Sequence, residues 1–202
     1  MFAWTRRPEL NPCLRTQSEG TPMPMIQVIP ESEATGLLAE TYAAIRAERG
    51  DVANIHRIHS LRPEALAAQF AMYRTIMLGE NMELCRSEIE LIATAVSIEN
   101  SCDYCASLHA AALAQACEQE GVPNPTVPSP ELGEWNLTSR QRAILDTAPK
   151  LAHTPQAMAD EDIACLRVEG LTDQGILEVV LVSSYICFVN RIAMGLCVAE
   201  EI

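Results

Sequence analysis

Residues 90–109 read Glu90-Leu-Ile-Ala-Thr-Ala-Val-Ser-Ile-Glu-Asn-Ser-Cys102-Asp-Tyr-Cys105-Ala-Ser-Leu-His109. Two helical patterns meet here across a short break at Asn100-Ser101, and the spacing is E-x11-C-x2-C-x3-H. At about 100° per residue, Cys102, Cys105 and His109 fall within an arc of about 60° on one helix face. The β-carbons of the two cysteines then lie about 5–6 Å apart, close enough for a disulfide after modest adjustment. His109 follows Cys105 at i+4, so its ring can approach that sulfur. Ser101 is the expected N-cap, which places Cys102 at the positive end of the helix dipole, where thiolate is favoured over thiol.

Glu90 joins by counting. It stands about ten residues before the turn and His109 about nine after it, so each lies roughly 14–15 Å from the turn. In an antiparallel hairpin the two face each other. The spacing permits a chain Glu90–His109–Cys105–Cys102, in which the carboxylate orients the imidazole, the imidazole takes a thiol proton, and the two sulfurs close a disulfide. Each member has a plainer alternative. The cysteine pair could be structural, Glu90 could complete a capping box with Ser87, and His109 could be an ordinary polar helix residue. Zinc is a further alternative for Cys102, Cys105, His109 and Glu90. It fits poorly, because three ligands strung along one helix face span about 10 Å.

The rest of the chain supports helices. It has 202 residues, 49% of them hydrophobic and only 4% aromatic, which favours an all-α class over a β-sandwich. Helical patterns are expected over about 32–49, 60–78, 86–99, 102–120, 138–151, 160–168 and 172–198, with a short segment opening at Thr154-Pro155, six to eight helices in all. Leu37, Leu38, Tyr42 and Ile45 share one face of the first, which stops at Gly50. Thr138 and Gln141 are spaced as a capping box, Thr172 is the cap of the last helix, and Gly170 is the stop before it. Prolines 123, 125, 128 and 130 make a loop. Residues 1–27 are expected to form an extended arm, with one all-α domain over 28–202. Ile89-Glu90-Leu91 and Leu177-Glu178-Val179, each preceding Cys102 and Asn190 by about the same distance, suggest an internal repeat.

The formal charge is −13, which argues against nucleic acid or an anionic lipid surface as partner. The longest uncharged apolar run, 179–189, is shorter than the roughly 20 residues of a membrane span, and Met1-Phe-Ala-Trp-Thr-Arg-Arg lacks an apolar signal core. A cytoplasmic location follows as an expectation. There, of the eight cysteines, most of the six outside the Cys102–Cys105 pair are expected to act as small buried residues rather than disulfide partners.

The stretch 90–109, with Asn54-Ile-His56-Arg-Ile-His59-Ser-Leu-Arg-Pro63-Glu before it and Phe188-Val-Asn190-Arg191-Ile-Ala after it, closely resembles the alkylhydroperoxidase D-like (AhpD-like) fold of the carboxymuconolactone decarboxylase superfamily. It is most similar to the branch of peroxidase-related proteins, over about residues 28–198. The resemblance implies paired antiparallel helices assembled as a homo-oligomer (dimer, trimer or hexamer). It implies a thiol-dependent peroxidase in which Cys105 attacks a hydroperoxide, Cys102 resolves the sulfenic acid, and Glu90 and His109 relay protons. An external dithiol restores the pair, and neither cofactor nor metal is called for. Some members carry a histidine between the cysteines; here Asp103-Tyr104 stands there, so Tyr104 or water would take its part. Members that decarboxylate lactones lack the cysteine pair. Two alternatives stand beside the peroxidase: a thiol–disulfide oxidoreductase that leaves peroxide alone, and a non-enzymatic oligomeric binding protein. Asn190 and Arg191 are read as pocket or interface residues or as a polar cap in the core, and His56 and His59 as hydrogen-bonded boundary residues.

Overall fold

Segment 86–99 is apolar on nearly every side, and a helix of that kind is stable only when other helices surround it. The computed structural model, which describes residues 24–125 and 136–199, places it at the centre. In chain order the α-helices are α1 (Gly36–Arg49), α2 (Asn54–Arg57), α3 (Pro63–Met77), α4 (Arg86–Glu99), α5 (Asp103–Glu120), α6 (Ser139–His153), α7 (Asp160–Val168) and α8 (Asp173–Gly195). Short 3-10 turns occupy Glu31–Glu33 and Pro155–Ala157, and no strand occurs among the described residues. The all-α class holds.

From Ser87 to Ser97 every residue of α4 is buried. Its main partner is α5, and α6 and α8 cover its other sides. Ile89, Ile92, Ala93 and Val96 enter the main core, while Leu91 faces the other way and packs with Leu113 and Cys117. The α4–α5 turn is three residues long, which forces the two helices antiparallel. Ser101 takes φ 58° there, while Cys102 N–H reaches back to the Ser97 carbonyl at 2.9 Å. Ser101 therefore forms the turn, and the N-cap of α5 is Cys102. The expected cap moves one residue along.

The other elements follow local rules. Pro63 opens α3 at a position that needs no N–H donor. Gln141 N–H donates to Thr138 Oγ1 at 3.2 Å while Thr138 N–H donates to Gln141 Oε1 at 3.0 Å, which is the expected capping box. Thr172 caps α8 through Gly175 N–H. Leu38, Tyr42 and Ile45 of α1 point inward, but Leu37 is 42% exposed and leaves the predicted face. The first helix begins at Gly36 rather than near residue 32, and α8 ends at Gly195, before Val198.

Helix α8 is long and apolar enough to cross a membrane by length and composition. In this fold it is a core helix. Val179, Val182, Ile186, Val189 and Ala193 form a buried stripe at alternating spacings of three and four. The repeat suggested by Glu90 and Glu178 is not mirrored in their contacts. Glu178 accepts from the backbone N–H groups of Glu83 and Leu84, whereas Glu90 faces α5. Of the predicted arm, only residues 24–27 are described; Met25 N–H donates to the Leu196 carbonyl at 3.0 Å. The proline-rich loop from residue 126 onward lies outside the described residues.

Candidate active site

Capping of α4 falls to Glu88, which accepts from Cys85 N–H at 3.2 Å. That leaves Glu90, one helical half-turn on and 1% exposed, for another purpose. His109 Nδ1 approaches Glu90 Oε2 at 2.7 Å across the hairpin, 19 residues away in sequence. Arg86 pairs with the other carboxylate oxygen. Burial pushes the Glu90 carboxyl up, but His109, Arg86 and Arg49 together hold it below the usual glutamate value. The carboxylate is thus ionised and accepts on both sides. Nδ1 of His109 must carry the hydrogen, so Nε2 is the nitrogen free to take or give a proton.

Cys102 and Cys105 are each 2% exposed and both are free thiols. The thiol of Cys105, and then its amide, hold the Cys102 sulfur below the usual thiol value against the effect of burial. Sharing with Cys102 and burial push the Cys105 thiol far up, and Asn190 works in the opposite direction. Of the two sulfurs, Cys102 is therefore the one that more readily carries negative charge. The Cys105 thiol is the main cause, and position adds to it. As N-cap residue, Cys102 stands where the first amides of α5 have no helical partner.

Asn190 is completely buried on α8. Its Nδ2 donates to Ser97 Oγ at 3.1 Å, and its Oδ1 accepts from Asn100 Nδ2 at 2.9 Å. The amide is clamped between the end of α4 and the Cys105 sulfur. Arg191 turns outward to the Cys187 carbonyl and is not part of the site. Tyr104 Oη accepts from Ile55 N–H at 3.3 Å, which ties α5 to α2. His59 Nδ1 sits 2.9 Å from the Ile55 carbonyl.

The geometry therefore brings Glu90 to His109 and Cys102 to Cys105. No hydrogen bond joins His109 to either sulfur among the described residues. A cavity of about 370 Å³ lined by Met77, Met82, Leu84, Arg86 and Ile89 touches the Arg86 side of this cluster, and no cysteine lines it. No group of three or more His, Cys, Asp or Glu side chains stands in a metal-holding arrangement among the described residues. Four residues enter the neighbourhood without having been singled out from the sequence: Ser97, Asn100, Gln69 and Tyr185. A polar side chain at a core position, such as Gln69 between Leu66 and Phe70, is the one signal that pointed to them.

His56 is buried beside Gln69, with its Nδ1 3.1 Å from Gln69 Oε1. Burial, the Arg49 charge and the neighbouring His59 push its pKa down to about 4, outweighing the hydrogen bond to Gln69. The folded ring is neutral at pH 7. Unfolded, a histidine takes a proton near pH 6.5, so the unfolded state binds the proton first as pH falls. Stability is unaffected above that value and is lost between there and pH 4. Between pH 7 and 5 this one group should cost about 2 kcal/mol. Urea unfolding at the two pH values, compared with His56→Gln, checks this; an equal slope in the variant refutes the assignment.

Residues 63–121, which span α3 to α5 and contain all four residues of the motif, match the family model described as "Carboxymuconolactone decarboxylase family". Among solved structures, the chain is similar to an uncharacterized peroxidase-related protein from Silicibacter sp. TM1040, with 28% identity, a TM-score of 0.72, and 93% of this chain and 95% of that one covered. A second, the alkylhydroperoxidase AhpD core of an uncharacterized peroxidase-related protein from Ralstonia eutropha JMP134, has 22% identity and a TM-score of 0.74 over 90% of this chain and 94% of that one. The debrominase Bmp8 shares the fold at 16% identity and a TM-score of 0.64, over 86% and 90% of the two chains. At 22% and 16% identity the likeness shows fold alone. No curated protein matches the chain.

Proposed function

We propose that this chain, whose residues 63–121 match the carboxymuconolactone decarboxylase family model, is an AhpD-like thiol-dependent peroxidase. The substrate is a hydroperoxide, and the electrons come from Cys102 and Cys105. The observation that carries this reading is the pairing of Glu90 and His109 on the same hairpin as two free, buried thiols. Lactone decarboxylation consumes no electrons and has no use for that dithiol.

In the first step the Cys105 sulfur attacks the terminal peroxide oxygen as its proton passes to the Cys102 thiolate. The O–O bond breaks, Cys105 becomes a sulfenic acid, and the departing alkoxide takes a proton. His109 Nε2, backed by Glu90, is the group to supply that proton. The Cys102 sulfur then displaces hydroxide from the sulfenic acid, which leaves as water, and a disulfide forms. The balance is two thiols and ROOH to one disulfide, ROH and water. An external dithiol then reduces the disulfide by exchange.

The low exposure of both sulfurs suits a narrow substrate, hydrogen peroxide or the –OOH end of an alkyl hydroperoxide. Leu177, Leu181 and Phe188 are exposed along α8, and this apolar stripe supports assembly as a homo-oligomer. The test is a thiol count: reduced protein mixed with one equivalent of hydrogen peroxide should lose two thiols, and no thiol loss would sink the reading.

One observation favours a second reading. The sulfur held below the usual thiol value is Cys102, at a helix N-terminus, which is the arrangement that serves thiol–disulfide exchange. Reaction with a model disulfide that outpaces the reaction with peroxide by orders of magnitude would favour that role.

A further inference from the structure

Arg86 is the first residue of α4, where the helix dipole disfavours a cation. An arginine four residues before a glutamate is also the weaker order for an ion pair along a helix. The stability of α4 therefore does not account for this side chain, but its contacts do. Arg86 Nη1 donates to the carbonyl of Met77, the last residue of α3, and Nη2 pairs with Glu90 Oε1. The Met77 carbonyl is one of those at a helix end that have no partner within the helix. One guanidinium thus bridges the end of α3 to the relay carboxylate, and its two prongs fix its orientation.

The carboxylate is enclosed, with its side chain 2% exposed against 33% for Arg86. Its oxygens are divided: Arg86 holds Oε1, and His109 Nδ1 lies 2.7 Å from Oε2. Arg49, whose guanidinium lies 4.7 Å over the Tyr73 ring, has the smallest influence of the three on the carboxyl. The two direct partners differ in kind. An arginine keeps its charge, whereas His109 gives up its charge when it protonates a departing oxygen. With Arg86 present, two cations and one carboxylate become one cation and one carboxylate. Without it, one cation and one carboxylate become a lone buried anion beside a neutral ring. Such an anion is costly, so the ring would hold its proton back.

We propose that Arg86 is a positioning residue of the proton relay: it keeps the Glu90 carboxylate paired and turned to His109 while the ring gives its Nε2 proton to the oxygen leaving the substrate. The inference rests on the peroxidase reading and deepens it. Arg86 acts only through Glu90 and His109. In the step the O–O bond breaks, the proton on Nε2 passes to the departing oxygen, and the hydrogen on Nδ1 stays in the Glu90 hydrogen bond. The need for that proton depends on the leaving group. Hydroxide and alkoxide are strong bases and need it. The carboxylate that leaves a peracid is a stable anion at neutral pH and does not.

The test compares hydrogen peroxide with peracetic acid on the full chain under single turnover. Arg86→Gln keeps an amide that can donate to Glu90 and removes the charge. It should slow thiol oxidation by hydrogen peroxide about 10–100-fold and leave the reaction with peracetic acid within about threefold. Arg74→Gln, which removes a surface arginine paired with Glu48, should change neither. If Arg86→Gln does not fold, Arg86→Lys carries the same comparison. Its ammonium keeps a charge on Glu90 but is a point rather than a fork, and a fall of about 3–10-fold is expected with hydrogen peroxide alone. Equal slowing with both oxidants, or no slowing with hydrogen peroxide, overturns the role of Arg86 while the peroxidase stands. A parent protein inert to hydrogen peroxide overturns both.

Discussion

Cys105→Ser should abolish thiol oxidation by peroxide, with a fall of at least about 1000-fold, because the oxygen-accepting sulfur is gone and serine cannot be oxidised in its place. Cys102→Ser should behave differently. It retains attack by Cys105 but cannot close the disulfide, so one thiol is lost instead of two and a sulfenic acid accumulates, detectable by a dimedone-type trap and by mass. The initial attack should also slow, because the Cys102 sulfur that receives the Cys105 proton has become a hydroxyl. Both variants should fold, since serine differs little in size from cysteine. The pair of results assigns the roles. A sulfenic acid trapped in Cys105→Ser but not in Cys102→Ser would exchange them and make the helix-terminal thiolate the attacking group.

Glu90→Gln is the second large effect. The carboxylate is 1% exposed and lies between Arg86 and His109. A neutral amide keeps the shape but leaves a half-buried guanidinium and an imidazole without their anion. Breaking a buried pair from one side typically costs about 3–5 kcal/mol. Catalysis should fall roughly 100-fold as well, because the neutral amide no longer orients the imidazole with a charged acceptor. The pH dependence has a definite sign. The folded pKa of Glu90 lies below its ordinary value of 4.5, so its contribution is complete above that pH and is lost as pH falls through the folded value. Parent and Glu90→Gln should therefore differ most near neutral pH and converge in acid. Urea unfolding at pH 7 and in acid measures both; a difference that stays constant with pH would mean that the carboxylate is not ionised in the fold.

Local patterns carried much of this structure into view before any coordinates. Thr138 and Gln141, Thr172 and Gly50 act within a few residues of themselves, and the helix ends they predict are the ends found, whereas the helix expected from about residue 60 starts only at Pro63. The same holds for the hairpin. A three-residue turn admits only antiparallel helices, so equal counts from the turn place Glu90 opposite His109. Where the sequence was misread, the feature was too small or too subtle for a period. Helix α2 is four residues long, less than a repeat of the apolar pattern. The N-cap of α5 moved from Ser101 to Cys102 because Ser101 is needed, with φ 58°, to turn the chain.

What the amino-acid order determined by itself was therefore the set of helices, the hairpin, and the cysteine, histidine and glutamate stripe, all consequences of a 3.6-residue period and a short turn. Tertiary packing decided the rest. Asn190 reaches Ser97 across 93 residues, and Gln69 reaches Tyr185 across 116. Neither contact follows from a spacing, because each depends on how α8 crosses α3 and α4. That crossing is set by the fit of side-chain ridges over the whole interface, and it places a clamped amide at the end of α4.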